Sequence, residues 1–167
     1  MKNIVIKVTS PSFSKNEYLA SELYKYFPYA RLNKEGKIFS KEELKEFLID
    51  ADGAIIGLEN ISEEILRSCH KLKIISKYGV GLDNIDQEAC EKYGVKTYST
   101  QGTNKLSVAE LTLCFMLGLI HNAFQESYKL KDNIWEKNGG FQLTEKTIGI
   151  IGVGHISKEV IRLLKPF

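Results

Sequence analysis

The feature that most constrains the fold is a glycine turn near the end of the sequence. Residues 147–157 read TIGIIGVGHIS: the apolar stretch 147–151 predicts a short strand, and the turn Gly152-x-Gly154-x-x-Ser157 opens a helix. Glycines permit close backbone approach, and the free N–H groups at a helix N-terminus attract phosphate. The pattern predicts the start of a dinucleotide-binding βαβ unit, although Ser157 replaces the third glycine. The alternative is a plain strand–turn–helix connection.

Such units hold the ribose with an acidic residue about 20 positions beyond the glycines. The printed sequence ends at Phe167, before that position. We therefore expect the chain to carry only the front of the unit, as a truncated gene product, a fragment or an engineered piece; the sequence leaves these three alternatives open.

Upstream, short apolar strands alternate with helical patterns. Ser40 and Glu43 have the spacing of a capping box, and Ser62 is a second predicted helix cap. Alternation of this kind predicts an α/β fold with a parallel sheet, helices on both faces and a first domain at 1–100. The predicted strands are 3–9, 29–32, 53–58, 72–78 and 95–99, and the predicted helices are 15–27, 41–49, 62–69 and 83–93.

Two further helices are predicted after residue 100. The first runs from Lys105 to about Asn122 and is apolar on most sides, so we expect it to be buried in a domain interface or against another subunit. The second covers about 124–137 and includes Trp135. The linker 138–140 then leads to the predicted strand 147–151.

Composition excludes several classes of protein. With 23 basic and 21 acidic residues, the net charge is only +2, which does not indicate a nucleic-acid-binding protein. The longest apolar run, 111–120, is too short to span a membrane, and the N-terminal run is too short for a signal peptide. The three cysteines, Cys69, Cys90 and Cys114, have neither metal-ligand nor redox spacing. We expect no metal site, reduced cysteines and a cytoplasmic location.

Two loops could bind small molecules. The segment from Tyr78 to Asn84, YGVGLDN, follows a predicted parallel strand, and its glycines leave backbone N–H groups uncovered, which suits a carboxylate. By itself it could equally be a tight loop. The segment from Gly102 to Glu110 joins the first domain to the long helix as a hinge; a simple helix start explains it equally well.

Together, the run from KYGVGLDNID through QGTNKLSVAE to KTIGIIGVGHIS resembles the D-isomer-specific 2-hydroxyacid dehydrogenases, and most closely their phosphoglycerate-dehydrogenase-like branch. The resemblance covers residues 72–167, and 1–71 is compatible with it. It implies a flavodoxin-like substrate domain at 1–100, followed at 101–167 by the hinge, the dimerisation helices and the first strand and helix of a Rossmann NAD-binding domain. The implied reaction is hydride transfer between C2 of a 2-hydroxy acid and NAD.

The resemblance also implies roles for single residues. The substrate-binding residues would be Tyr78, Gly79, Val80, Gly81 and Asn104, with the carboxylate on the backbone of Val80 and Gly81. The cofactor-binding residues would be Val80, Val108, Gly152, Gly154, His155 and Ile156. The long helix would build a homodimer.

The family's catalytic Arg, Glu and His would fall beyond Phe167, and His70, His121 and His155 are not substitutes for them. We therefore expect the 167-residue chain to be inactive alone. The residues present do not distinguish NAD from NADP or one 2-hydroxy acid from another. A non-catalytic binding or assembly module that keeps the scaffold is the alternative function.

Overall fold

The computed structural model describes residues 4–167. The chain divides into two compact units, one ending at Gln101 and the other running from Gly102 to Phe167. The first residue of the predicted strand 3–9 lies outside the described residues.

The first unit is built on a five-stranded parallel sheet, which confirms the predicted α/β fold. The strand order is β2-β1-β3-β4-β5, the flavodoxin-like order of doubly wound sheets. The strands are β1 (Ile6–Val8), β2 (Arg31–Leu32), β3 (Gly53–Ile56), β4 (Ile74–Lys77) and β5 (Lys96–Tyr98). The helices are α1 (Pro11–Lys15), α2 (Glu17–Tyr26), α3 (Lys41–Leu48), α4 (Glu63–Ser68) and α5 (Gln87–Tyr93).

One face of the sheet carries the main core. Ala54, Ile56 and Ile75 point to the same side of β3 and β4 and are almost fully buried. They pack with apolar residues of α3, α4 and α5, among them Leu44, Leu48, Ile65, Leu66, Ala89 and Cys90. This burial fixes the register of the central strands, because a slip of one residue would turn the apolar side chains to the other face.

Local capping sets where several helices begin. The capping box of α3 is present as predicted, with Ser40 Oγ accepting from the N–H of Glu43 and the Glu43 carboxylate accepting from the N–H of Ser40. The helix predicted at 15–27 begins instead at Glu17, because the Asn16 side chain caps the start of α2, and Lys15 ends the preceding helix α1. The predicted helix 83–93 begins only at α5, where the Asp86 side chain accepts from the N–H of Ala89.

The capping role predicted for Ser62 is wrong. Ser62 occupies the N-cap position of α4, but its side chain makes no capping hydrogen bond. Its hydroxyl oxygen is buried without a hydrogen-bond partner among the described residues.

The second unit contains three helices, α6 (Lys105–Ile120), α7 (Ala123–Lys131) and α8 (His155–Leu164). Helix α6 packs along α8 and contacts α7, and Ala109, Leu143 and Val160 are buried. Trp135 was predicted within the second helix, but it lies in the irregular segment after α7 and is 78% exposed.

The strand predicted at 147–151 is not formed. These residues are irregular, and Ile151 is fully exposed. A strand requires a ladder of hydrogen bonds to a neighbour, and no described residue provides one for this segment. Its apolar composition was therefore not sufficient to make it a strand.

Helix α6 is only partly buried. Ala109 and Gly118 are covered, whereas Leu111, Phe115 and Leu119 are at least half exposed and follow each other at intervals of four residues. We call these three residues the α6 row. Among the described helices none is by itself long and apolar enough to cross a bilayer; α6 and α7 meet that test only as a pair bent by 70°.

The three cysteines lie in different environments. Cys69 and Cys90 are buried in the first unit, and burial raises the pKa of both thiols. Cys114 is exposed on α6. Within residues 4–167, no group of His, Cys, Asp and Glu side chains is arranged to hold a metal ion.

Candidate functional site

The loop from Tyr78 to Asn84 lies at the carboxyl edge of the parallel sheet. It follows β4, which is flanked by β3 and β5. In open parallel sheets this edge is where ligands bind. We call residues 78–84 the glycine loop. Gly79 has a φ of +146°, a conformation that favours glycine, and a Cβ there would lie 3.2 Å from Cε of Lys77.

Two side chains, one just before the glycine loop and one at its last residue, hold the ends of the loop together. The Lys77 ammonium donates to Asn84 Oδ1 at 2.6 Å and also to the carbonyl oxygen of Gly57, which follows β3. The Asn84 amide donates to the carbonyl oxygens of Gly57 and Glu59. The two ends of the loop are thus tied to each other and to the end of the neighbouring strand.

The adjoining strand ends add a polar cluster. The Glu59 carboxylate accepts from the Thr9 hydroxyl at 2.7 Å and from the N–H of Gly57 at 2.8 Å. The Asn33 amide, which is buried, donates to the carbonyl oxygen of Thr9 at 2.7 Å. Because these groups satisfy one another, they act as a rigid support beside the glycine loop.

The loop backbone itself has free donors. Among the described residues, the N–H groups of Val80 and Gly81 have no hydrogen-bond acceptor. Gly81 is exposed, and the Val80 side chain is half-buried. The Tyr78 ring meets the Phe13 ring edge to face, with centroids 5.4 Å apart, so its position is set by α1. The segment can therefore present two uncovered N–H groups to an anion.

Sequence reasoning missed the residues that hold this loop. Lys77, Asn84 and Gln101 form its side-chain bonds; the Gln101 amide reaches the carbonyl oxygen of Val80 at 3.1 Å. Lys77 and Asn84 flank the stretch YGVGLD, and this pair of polar residues was the sequence signal that could have identified them. No local pattern marks Gln101, because its partner is 21 positions away in sequence.

The second unit contains the turn before α8. Gly152 has a φ of +80°, and a Cβ at Gly152 or Gly154 would meet no atom within 4 Å. Gly154 is the N-cap of α8, and no side chain caps this end. Among the described residues, the N–H groups of His155, Ile156 and Ser157 have no acceptor. An open glycine turn before uncapped helical N–H groups fits a pyrophosphate.

The hinge segment contacts this turn. Gly102 has a φ of +73°, and a Cβ there would lie 3.2 Å from Cδ2 of His155. Asn104 occupies the N-cap position of α6 without a capping bond and is exposed, and Val108 is half-buried in the first turn. Farther along, Lys105 forms an ion pair with Glu159 of α8 at 2.9 Å. The start of α6 is therefore held against the start of α8.

The candidate residues thus form two local groups. Tyr78, Gly79, Val80 and Gly81 lie together in the first unit. The second unit holds Asn104, Val108, Gly152, Gly154, His155 and Ile156. The roles assigned to these residues from the sequence remain predictions.

Residues 15–162 match the family profile of the D-isomer specific 2-hydroxyacid dehydrogenase, catalytic domain. The chain belongs to this family. The match includes the glycine loop, the hinge and the glycine turn before α8, so both groups of candidate residues fall within the part of the chain that defines the family.

Sequence relatives point to one branch of the 2-hydroxyacid dehydrogenases. The chain is 36% identical over 131 residues to D-3-phosphoglycerate dehydrogenase of Methanocaldococcus jannaschii. This match covers 77% of this chain and 25% of the relative. It is 34% identical over 136 residues to the Homo sapiens enzyme of the same name, covering 80% of this chain and 26% of the relative. The chain therefore spans about a quarter of the length of these relatives.

Solved structures show the same fold. A cofactor(NAD+)-bound 3-phosphoglycerate dehydrogenase of Entamoeba histolytica is 29% identical and superposes with a TM-score of 0.80, over 98% of this chain and 51% of that one. A D-isomer specific 2-hydroxyacid dehydrogenase from Polaromonas, described as NAD-binding, has a TM-score of 0.85 at 21% identity, over 98% of this chain and 52% of that one. The likeness to the second structure shows the fold alone.

Proposed function

We propose that this chain is part of an NAD-dependent oxidoreductase that transfers hydride between a 2-hydroxy acid and the cofactor. Within it, residues 1–100 act as the substrate domain, and residues 101–167 act as the hinge, the dimerisation helices and the start of the NAD-binding domain. The observation that carries the proposal is the pair of N–H groups at Val80 and Gly81, which find no acceptor within residues 4–167 and lie at the carboxyl edge of the sheet in a member of this family.

The glycine loop would bind the acid end of the substrate. A carboxylate needs donors fixed before it arrives, and the N–H groups of Val80 and Gly81 lie in a loop fastened by Lys77 and Asn84. Gly79 keeps the approach free of a side chain, and Tyr78 forms one wall. We assign Asn104 to the substrate as well, since its exposed side chain has no capping bond.

The glycine turn would bind the pyrophosphate of the cofactor. Gly152 and Gly154 leave room for it, and the N–H groups of His155 and Ile156 face it from the positive end of α8. From the family resemblance we also assign Val80 of the first unit and Val108 of the second unit to the cofactor, whose nicotinamide would supply the hydride acceptor. The NAD named in the Entamoeba histolytica structure favours this cofactor.

We propose that the 167-residue chain is not active alone. Proton exchange with the substrate hydroxyl requires a positioned acid–base group. His70 precedes β4 and therefore lies toward the amino edge of the sheet, opposite the glycine loop. His121 follows α6, and His155 belongs to the phosphate turn. None of these three histidines belongs to the glycine loop.

We also propose that the enzyme is a cytoplasmic homodimer. The apolar α6 row is exposed in the single chain, and a contact between two copies would cover it. Three cysteines without a disulfide suit a reducing compartment.

An NMR titration of the uniformly labelled chain tests the proposed function. Glyoxylate or pyruvate should shift the amide signals of residues 79–82, and NAD should shift those of 152–157. Acetamide, which lacks the negative charge of a carboxylate, is the control ligand for the first site. Responses confined to other residues would contradict the assignment and would favour a binding or assembly module that keeps only the scaffold.

A further inference from the structure

The side chain of Gln101 contacts the backbone of the glycine loop. Its Nε2 donates to the carbonyl oxygen of Val80 at 3.1 Å and to the Ser99 hydroxyl oxygen at 3.1 Å. Ser99 and Gln101 follow β5, the strand beside β4. Both hydrogens of the amide are thus engaged, and Ser99 holds the amide in the orientation that reaches Val80.

The hydrogen bond from Gln101 to the Val80 carbonyl also fixes the direction of the N–H group of Gly81. The peptide unit between Val80 and Gly81 is planar and trans, so its C=O and its N–H point in opposite directions. When Gln101 holds the C=O on the β5 side, the N–H of Gly81 must point to the other side of the loop. There it has no acceptor among the described residues, and Gly81 is exposed.

We infer that Gln101 is a positioning residue that aims the N–H of Gly81 at the substrate carboxylate. The inference rests on the proposed function of the glycine loop and adds a residue outside it. Lys77 and Asn84 tie only the base of the loop, whereas Gln101 holds the peptide that carries the donor. A glycine on one side of that peptide makes rotation easy, so the bond is what selects one orientation.

Gln101 is the last residue of the first unit and the neighbour of the hinge residue Gly102. A side chain in this place links the direction of the Gly81 donor to the segment that leads into the hinge. Its hydrogen bond to the Val80 carbonyl, rather than contact with the ligand, is what gives it this role.

The test compares the unchanged chain with Gln101→Met and Gln101→Glu. The first variant removes the donor without adding charge, and the second keeps the shape but replaces the donor by an acceptor. Without ligand, both should move the carbonyl ¹³C signal of Val80 and the amide signal of Gly81. With glyoxylate, Gln101→Met should bind about two- to tenfold more weakly, the loss expected for one hydrogen bond.

Gln87→Ala is the matched control, because Gln87 also donates from its side chain to a backbone carbonyl, that of Ile85, and lies outside the glycine loop. This variant should leave the signals of Val80 and Gly81 and the glyoxylate affinity unchanged. Equal urea midpoints for the unchanged chain and Gln101→Met would show that the affinity loss is not a loss of folding.

The outcomes separate the inference from the proposed function. If glyoxylate shifts Gly81 equally, and with equal affinity, in the unchanged chain and in Gln101→Met, the inference is overturned and the proposed function stands. An unmoved Val80 carbonyl signal in both variants also overturns it, with no ligand needed. If glyoxylate leaves Gly81 unaffected in the unchanged chain, the substrate site and the inference fall together.

Discussion

At the scale of single residues, two serines that precede helices form a matched pair. Ser40 makes both bonds of a capping box, whereas the Ser62 hydroxyl is buried without a partner. We expect Ser40→Ala to lower the free energy of unfolding by about 1 kcal/mol, and Ser62→Ala to leave it unchanged or raise it slightly. Urea unfolding of both variants checks this; equal losses would contradict the difference described between the two caps.

The ion pair between Lys7 and Asp50 gives a second prediction. The Lys7 side chain is 97% buried, lies over the Phe47 ring and donates to the partly exposed Asp50 carboxylate. Asp50→Asn would leave a buried ammonium without a countercharge, so we expect a loss of about 1–3 kcal/mol, the cost of a buried donor that loses its partner. Lys7→Met should be close to neutral, because it removes the buried charge and keeps an apolar chain. Thermal or urea unfolding compares the two.

The same pair predicts a pH dependence. The hydrogen bond from Lys7 lowers the pKa of Asp50 below its ordinary value near 3.9. A carboxyl with a lowered folded-state pKa stabilises the fold above its unfolded pKa, and this stabilisation is lost as pH falls through the folded pKa. Below about pH 4 the unchanged chain should therefore lose stability more steeply than Asp50→Asn. Parallel unfolding curves for the two proteins would contradict this.

Single residues also show how far the sequence could predict the structure. The Ser40 cap was predictable because both of its bonds join residues three apart. The environment of Ser62 was not, because the core around α4 decides whether its hydroxyl finds a partner. Gln101 could not be found either, since its bond to Val80 depends on two strands lying side by side.

At the scale of secondary structure elements, the α6 row makes a prediction about association. Leu111, Phe115 and Leu119 lie on one stripe of the helix, since residues four apart share a face. We expect Leu119→Glu to shift a self-associating chain towards the monomer, because a carboxylate would lie in the apolar contact. Ile38→Glu, at a still more exposed apolar residue of the first unit, is the control.

Light scattering at tens of micromolar measures the effect. The expected result is a dimer or a larger species for the unchanged chain and for Ile38→Glu, and a smaller mass for Leu119→Glu. A monomer for the unchanged chain would contradict the proposed homodimer, and an unaltered mass for Leu119→Glu would exclude this face as the contact.

Elements differ in how well the sequence predicts them. The strands of the first unit were predicted within a few residues because their apolar runs pair with neighbours in the same unit. The segment 147–151 is just as apolar but has no ladder partner among the described residues, and it is irregular. A strand prediction therefore depends on partners as well as on composition.

At the scale of the whole molecule, the chain should bind NAD only weakly. The glycine turn would contact only the pyrophosphate of the cofactor, and the matched region is only 25% of the Methanocaldococcus jannaschii relative. We expect a dissociation constant no tighter than about 1 mM, or about 4 kcal/mol of binding free energy. Calorimetric titration measures it. Micromolar binding would show that another surface of this chain completes the pocket.

The first unit should fold without the second. Its sheet is complete within residues 4–101, and its core cluster contains no residue after Val95. A shortened chain of residues 1–101 should therefore show cooperative unfolding and remain monomeric in light scattering. Non-cooperative unfolding of this piece would show that residues 102–167 are needed for its core.

The distribution of the cysteines gives the experimenter a reporter group. The thiolate is the form that reacts with alkylating reagents, and burial disfavours it at Cys69 and Cys90. Cys114 is accessible and immediately precedes Phe115 of the α6 row. A maleimide dye should therefore attach at one position, beside the surface proposed to join two copies. Its labelling rate, followed against protein concentration, would measure the association without any change to the sequence.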